Sequence, residues 1–140
     1  MIFLDLPFPP SLNHYYRRVG AKTLISRDGR EYRKRVKALA WLAMRLDGGT
    51  FPMVGQLAIE VALVPPDRRR RDLDNSLKAL LDALQHAGVY EDDSQAGALT
   101  IYRCEPCAPG GVKVRMAALD SIGEMGGPLA ALFAAVKGNA

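Results

Sequence analysis

Residues 56–88 read QLAIEVALVPPDRRRRDLDNSLKALLDALQHAG, and the order of patterns within them decides the fold. Leu57, Ile59, Val61 and Leu63 alternate with Gln56, Ala58, Glu60 and Ala62, the period of two expected of a strand with one buried face. Pro65-Pro66 removes two successive backbone donors and ends that strand. After the arginine run Arg68 to Arg71, Asp74 is placed to cap a helix whose apolar positions Leu77, Leu80, Leu81, Leu84 and Ala87 share one face, and Gly88 stops it. Asp74, Lys78 and Asp82 follow one another at one-turn spacing on the opposite face.

Working outward, Met1 to Leu6 alternates bulky residues as a strand does, and Pro7-Phe8-Pro9-Pro10 then imposes an extended path. Ser11 to Arg18 reads as a loop, with His14 either a phosphate contact or, as the favoured reading, a solvent-facing histidine. Lys22 to Ile25 is a brief strand, after which either Ser26 caps a helix or an Asp28-Gly29 turn separates strand from helix. From Arg30 the positions Tyr32, Val36, Leu39, Ala43 and Leu46 step by four and three along one helical stripe, and Gly48-Gly49 stops it. Leu99 to Arg103 and Val112 to Ala118 form two more strands with hairpin potential across a loop rich in Cys, Pro and Gly. The expected architecture is α+β, a two-layer sandwich of a mixed β-sheet with two main helices. One domain spans 1–119, and 120–140 is a C-terminal tail with a short helix expected at 128–137.

With 140 residues, 49% hydrophobic and 24% charged, the chain fits one globular domain and excludes a long disordered or collagen-like protein. Its longest apolar runs fall well short of the roughly 18–20 residues that span a bilayer. Asp5 and the early prolines interrupt any secretory signal, so a cytoplasmic location is expected. Nineteen Lys and Arg against 15 Asp and Glu give +4, and the placement matters more than the sum. Cations gather at Arg17, Arg18 and Lys22, along residues 30–37 and at Arg68 to Arg71, whereas the only charges after Leu119 are Asp120, Glu124 and Lys137. The first two thirds are suited to a polyanion. Cys104 and Cys107 form a lone C-x-x-C without the second ligand pair that zinc requires, and are read as incidental loop cysteines.

The chemistry concentrates at Asp67-Arg68-Arg69-Arg70-Arg71-Asp72-Leu73-Asp74-Asn75, with Lys78 and Glu91-Asp92-Asp93 beyond it. Asp72 and Asp74, at i and i+2 where a loop enters a helix, are able to converge on one hard cation, and Mg2+ takes oxygen ligands. A third carboxylate could come from Asp92 or Asp93. Magnesium beside fixed positive charge suits phosphodiester hydrolysis, and Lys78, one turn past Asp74, could reach the phosphate or the leaving oxygen. A helix running from Asp74 to Ala87 brings Asp93 back only if residues 88–93 return nearly extended; otherwise the helix is shorter, or the acidic segment serves a neighbouring subunit.

Three pieces together resemble the RusA-type Holliday junction endodeoxyribonucleases. They are Leu6-Pro7-Phe8-Pro9-Pro10-Ser11 with Asn13 and Tyr15-Tyr16-Arg17; Pro66 to Asn75 with Lys78 and Asp82-Ala83-Leu84; and Gly88 followed by Asp92-Asp93. The resemblance implies that Asp72, Asp74 and Asp93 are metal-binding catalytic carboxylates, that Lys78 is required for cleavage, and that Arg71 holds phosphate. Arg68, Arg69 and Arg70 join the DNA-binding set by charge, with Asn13, Tyr15, Tyr16 and Arg17 from the N-terminal motif. It further implies a homodimer that uses Mg2+, with Mn2+ as a substitute, and nicks four-way junction DNA symmetrically during recombination and repair. Leu81 stands where some members carry an aromatic residue, and Leu12 where the motif has a polar one. Tyr15 and Tyr16 are either base-stacking platforms or core aromatics.

Two other functions fit the same residues. In a non-catalytic branched nucleic-acid-binding protein, the aspartates would merely order the arginine loop through ion pairs. A magnesium phosphohydrolase acting on small esters would not need so extended a basic surface.

Overall fold

Strand β4 (Leu57–Val64) lies inside a four-stranded sheet of order β1-β6-β4-β5, formed with β1 (Ile2–Leu6), β5 (Ala96–Arg103) and β6 (Gly111–Ala118). β6 runs antiparallel to both β1 and β4, while β5 runs parallel to β4, with Leu63 opposite Arg103. The computed structural model describes residues 1–121, so the tail helix expected at 128–137 lies outside the described residues. The α+β sandwich with a mixed sheet is as the sequence implies.

The hairpin expected between the last two strands is replaced by a crossing. β4 separates β5 from β6. The connecting loop is tied to the end of β4 instead, through Cys104 N–H to Leu63 O and Cys107 N–H to Pro65 O, both 2.8 Å. The single buried face expected of β4 is also corrected, because Ala58 and Ala62 are as buried as Leu57, Ile59, Val61 and Leu63. On that second face, Ala58 packs with Ala117, Ala98 and Leu119, and Glu60 accepts two hydrogen bonds from the buried guanidinium of Arg115 directly opposite. A strand with neighbours on both sides and small side chains on its outer face behaves as a central strand.

The helices pack on the other face. Ser26 caps α2 (Arg27–Asp47) by accepting from Gly29 N–H at 2.9 Å, which decides between the two sequence alternatives. The buried stripe is Gly29, Tyr32, Val36 and Ala40, rotated from the one expected, and Leu39 and Leu46 are exposed. Close approach explains the rotation: a Cβ on Gly29 would lie 2.5 Å from Tyr15 O, so the helix must present its smallest residues there. Tyr32 donates to Pro7 O at 2.9 Å, and Trp41 Nε1 donates to Ala87 O at 3.1 Å. The segment read as a loop at Ser11 to Arg18 is a helical turn, α1 (Leu12–Tyr15), followed by β2 (Tyr16–Val19), which pairs antiparallel with β3 (Lys22–Ile25).

α3 (Leu77–His86) completes the parallel β4-α3-β5 unit and buries Leu80, Leu81 and Leu84. Among the described residues no helix is long and apolar enough to cross a membrane. Leu80→Ala, at a fully buried position, is expected to cost about 2–5 kcal/mol of unfolding free energy. Leu46→Ala, at a residue 79% exposed, should change it by less than about 0.5 kcal/mol, and urea titration of both variants checks the reassigned helix face.

Candidate active site

The arginine loop leaves the C-terminal end of β4, and the parallel neighbour β5 ends beside it, so Arg103 joins the loop from across the sheet. Outside the carboxyl ends of parallel strands is where such units generally bind ligands. Asp67 organises the loop. Its Oδ1 accepts Arg69 N–H at 2.9 Å and Arg71 Nη1 at 2.7 Å, and Arg69 Nε lies 3.8 Å from Oδ2. These bonds, the one from Arg71 first, hold the Asp67 carboxyl down to about 2. Arg71 also lies over the Phe8 ring, 5.6 Å from its centroid, and its carbonyl accepts from Arg103 Nη2 at 2.7 Å. Arg71 thus anchors the loop through Nη1, while its Nη2 and Nε make no hydrogen bond among the described residues. Arg68 and Arg70 are exposed and enter no salt bridge among the described residues.

Asp74 is not the helix cap. A 3-10 turn (Leu73–Asn75) intervenes, with extended Asp72 before it and Ser76 at the start of α3. Both carboxylates are exposed, and among the described residues neither accepts a hydrogen bond or ion pair, even beside four arginines. The carboxylate of Asp93 is brought to Lys78, with Nζ to Oδ2 at 3.3 Å. Of the two ways back within one chain, the shorter helix is correct: α3 has ten residues, Gly88 turns the chain at φ 84°, and Gln85 Oε1 accepts Asp93 N–H at 3.2 Å. Asp92 is engaged in a capping box with Gln95 and accepts from Ser94, which lowers its pKa. Burial pulls the Lys78 pKa down, but the hydrogen bond and charge of Asp93, with the charge of Asp82, outweigh it and raise the value. That raised value gives a stabilisation complete below the ordinary lysine value and lost only as pH rises through the folded one, so Lys78 is an ammonium at neutral pH. Among the described residues no three His, Cys, Asp or Glu side chains are gathered into a metal cage. Asp82, read from spacing as part of the same polar face, points elsewhere: it accepts from Arg33 Nη2 at 2.6 Å and from the Tyr15 hydroxyl.

That contact corrects the stacking role for Tyr15. Its side chain is fully buried, and burial together with the Asp82 hydrogen bond raises its pKa, so it is a core residue joining α1, α2 and α3. Tyr16 is half-buried, edge-on to Tyr15 at 4.8 Å, whereas Asn13 and Arg17 are exposed. His14 is exposed, as expected. It lines a cleft of about 290 Å³ with Phe8 and Ser11 on one side and Arg69, Arg70, Arg71 and Asn75 on the other. The N-terminal motif and the arginine motif, distant in sequence, therefore meet.

Both motifs fall within a stretch of sequence that matches known proteins. A sequence profile described as endodeoxyribonuclease RusA matches residues 7–117. The chain belongs to the endodeoxyribonuclease RusA family. It is 43% identical over 117 residues to the crossover junction endodeoxyribonuclease of Enterobacteria phage HK97, covering 84% of this chain and 94% of that protein. It is 46% identical to the Shigella sonnei (strain Ss046) crossover junction endodeoxyribonuclease RusA over 92 residues, and 45% identical to that of Escherichia coli (strain K12), each covering 66% of this chain and 73% of the relative.

The RusA-like stretches surround the arginine loop, yet four contributors escaped sequence reading: Asp67 as loop anchor, Phe8 and Asn75 as cleft walls, and Arg103. Asp67 carried a signal, since an aspartate commonly accepts the N–H two residues on. Arg103 carried none, because its place depends on β5 running parallel to β4. Leu81, at the position aromatic in some family members, is buried in the core.

With its carboxyl depressed from 3.8 to about 2, Asp67 stabilises the ordered loop fully above the unfolded value and loses that effect as pH falls through about 2. Asp67→Asn is expected to speed amide exchange at Arg69 by roughly two- to tenfold at neutral pH, measurable by NMR.

Proposed function

We propose that this protein is a Mg2+-dependent, structure-specific endodeoxyribonuclease that resolves four-way junctions by paired nicks, as a homodimer acting in recombination and repair. The observation that carries the reading is that Asp72 and Asp74 stand exposed and without a partner among the described residues, although four arginines precede them. Carboxylates serving only to order the arginines would pair with them, and Asp67 does that work instead. This weighs against a purely DNA-binding role. The names of the phage and bacterial relatives, crossover junction endodeoxyribonucleases, support the substrate.

The donor set fits the metal. Mg2+ keeps several waters and is commonly bound by one or two carboxylates plus substrate phosphate, so a closed protein cage is not required. Asp72 and Asp74 would hold it, with Asp93 available from its contact with Lys78. When bound, the ion supplies Lewis-acid stabilisation of the phosphoryl oxygens and a more acidic water.

The chain's own groups do the rest. Arg68, Arg69 and Arg70 present guanidinium groups to backbone phosphates, and the Asp67 anchor holds the loop in shape before DNA arrives. The Lys78 ammonium supplies fixed positive charge where negative charge grows on the phosphate or the leaving oxygen. A two-fold dimer matches the symmetry of a four-way junction and of opposed nicks.

Asp72→Asn is expected to abolish cleavage of a synthetic four-way junction in Mg2+ while leaving junction binding in EDTA within about twofold of wild type, since a buffer-facing carboxylate is lost and no cation is. Full cutting by that variant, or wild-type cutting in EDTA, would overturn the metal site. Arg69→Ala with Arg70→Ala should instead weaken binding and flatten the slope of log affinity against log salt by about 2.

A further inference from the structure

The cleft between α1 and the arginine loop is lined by Arg69, Arg70 and Arg71 with His14, and by no carboxylate. Asp72 opens instead onto a neighbouring crevice, which it shares with Arg71 and Arg103. With no carboxylate in its lining, Arg70 without a salt bridge among the described residues and Arg69 and Arg71 sharing only Asp67, the cleft suits an anion with several acceptor oxygens.

We propose that Ser11, His14 and Asn75 complete, with Arg70, a subsite for one non-scissile phosphodiester of the bound DNA strand, an inference that rests on the nuclease reading above. The scissile phosphate belongs at Asp72 and Asp74, neither of which lines this cleft, so a phosphate here is displaced along the strand. A volume of about 290 Å³ accommodates a phosphate and its adjoining sugar, and Phe8 supplies an apolar wall for the sugar.

The imidazole is oriented for the task. Ser11 Oγ and His14 Nδ1 are 2.6 Å apart, which leaves Nε2 for a ligand. A phosphate oxygen only accepts, so it selects the tautomer with a proton on Nε2, and the Ser11 hydroxyl then donates to Nδ1. The turn itself is held before DNA binds. Ser26 Oγ donates to His14 O, Ser26 N–H donates to Tyr15 O at 2.9 Å, and Tyr15 is locked beneath by Asp82 and Arg33. Little ordering therefore remains to be done on binding.

The test is a chemical double-mutant cycle. Four-way junctions each carrying a single uncharged methylphosphonate linkage, placed in turn at the cut site and at each linkage flanking it, are titrated in EDTA against wild type, His14→Ala and His14→Lys. The expected result is one linkage, other than the scissile one, at which neutralisation weakens wild-type binding about fivefold, while His14→Ala weakens the unmodified junction similarly and the two losses do not add. His14→Lys should recover the affinity. Wild-type binding by His14→Ala, or losses that add at every linkage, would overturn the subsite. Should His14→Ala melt below wild type, Ser11→Ala replaces it, since that variant keeps the ring and loses only its orientation; sensitivity at the same linkage must then fall. Wild-type cleavage of the unmodified junction in Mg2+ runs alongside. Cutting with an additive cycle overturns only the subsite, whereas no cutting with a non-additive cycle overturns the nuclease reading and keeps the subsite.

Discussion

Everything that meets at the candidate site does so because β4 is paired on both sides. Its main-chain groups bond to β6 in one direction and β5 in the other, and the β5 pairing is parallel. Parallel neighbours cannot be joined by a tight turn; the chain must leave the end of β4, cross the sheet and start again. α3 is that crossover. The loop before it carries Arg68 to Asp72, the turn after it carries Asp93, and the far end of β5 carries Arg103. One hydrogen-bonding choice therefore places Arg103 beside the arginine loop at the end of β4, while Asp93, ahead of the start of β5, is joined to the first turn of α3 through Lys78.

A second constraint fixes the N-terminal turn against this frame. The Asp82 carboxylate accepts from Arg33 and from the Tyr15 hydroxyl, so α1, α2 and α3 share one polar knot, with Arg33 and Asp82 side chains 24% and 22% exposed. A pair that is only partly withdrawn from water contributes modest stability, and its value lies in geometry, because each partner has a single place to go. The Tyr15 ring fills the core below, and the backbone above it sets Ser11 and His14 opposite the arginines.

Charge is then divided between neighbouring aspartates by local geometry alone. Asp67 folds back over its own turn and takes the Arg69 amide and the Arg71 guanidinium. Asp72, extended, and Asp74, in the 3-10 turn, are carried past the arginines and keep their oxygens exposed. Three identical side chains within eight residues thus differ in what they are able to bind.

The sequence by itself determined the α+β class, the main helices and strands, and which residues are candidates for the chemistry. Each of these rests on patterns a few residues long: the alternation of Leu57 to Leu63, the stop at Pro65-Pro66, the Arg68 to Asp74 run, and the stop at Gly88. Only the tertiary structure decided which of those residues face each other. The hairpin expected from Leu99 and Val112 gave way to strands separated by β4, the stripe through Leu39 and Leu46 gave way to Gly29 and Ala40, and Tyr15 moved from candidate DNA contact to core. In each case the deciding term was a contact between segments distant in sequence, whether a strand pairing, a close approach of helix to backbone or the Asp82 knot. Periodicity reports which residues a segment is able to bury, and packing alone determines against what.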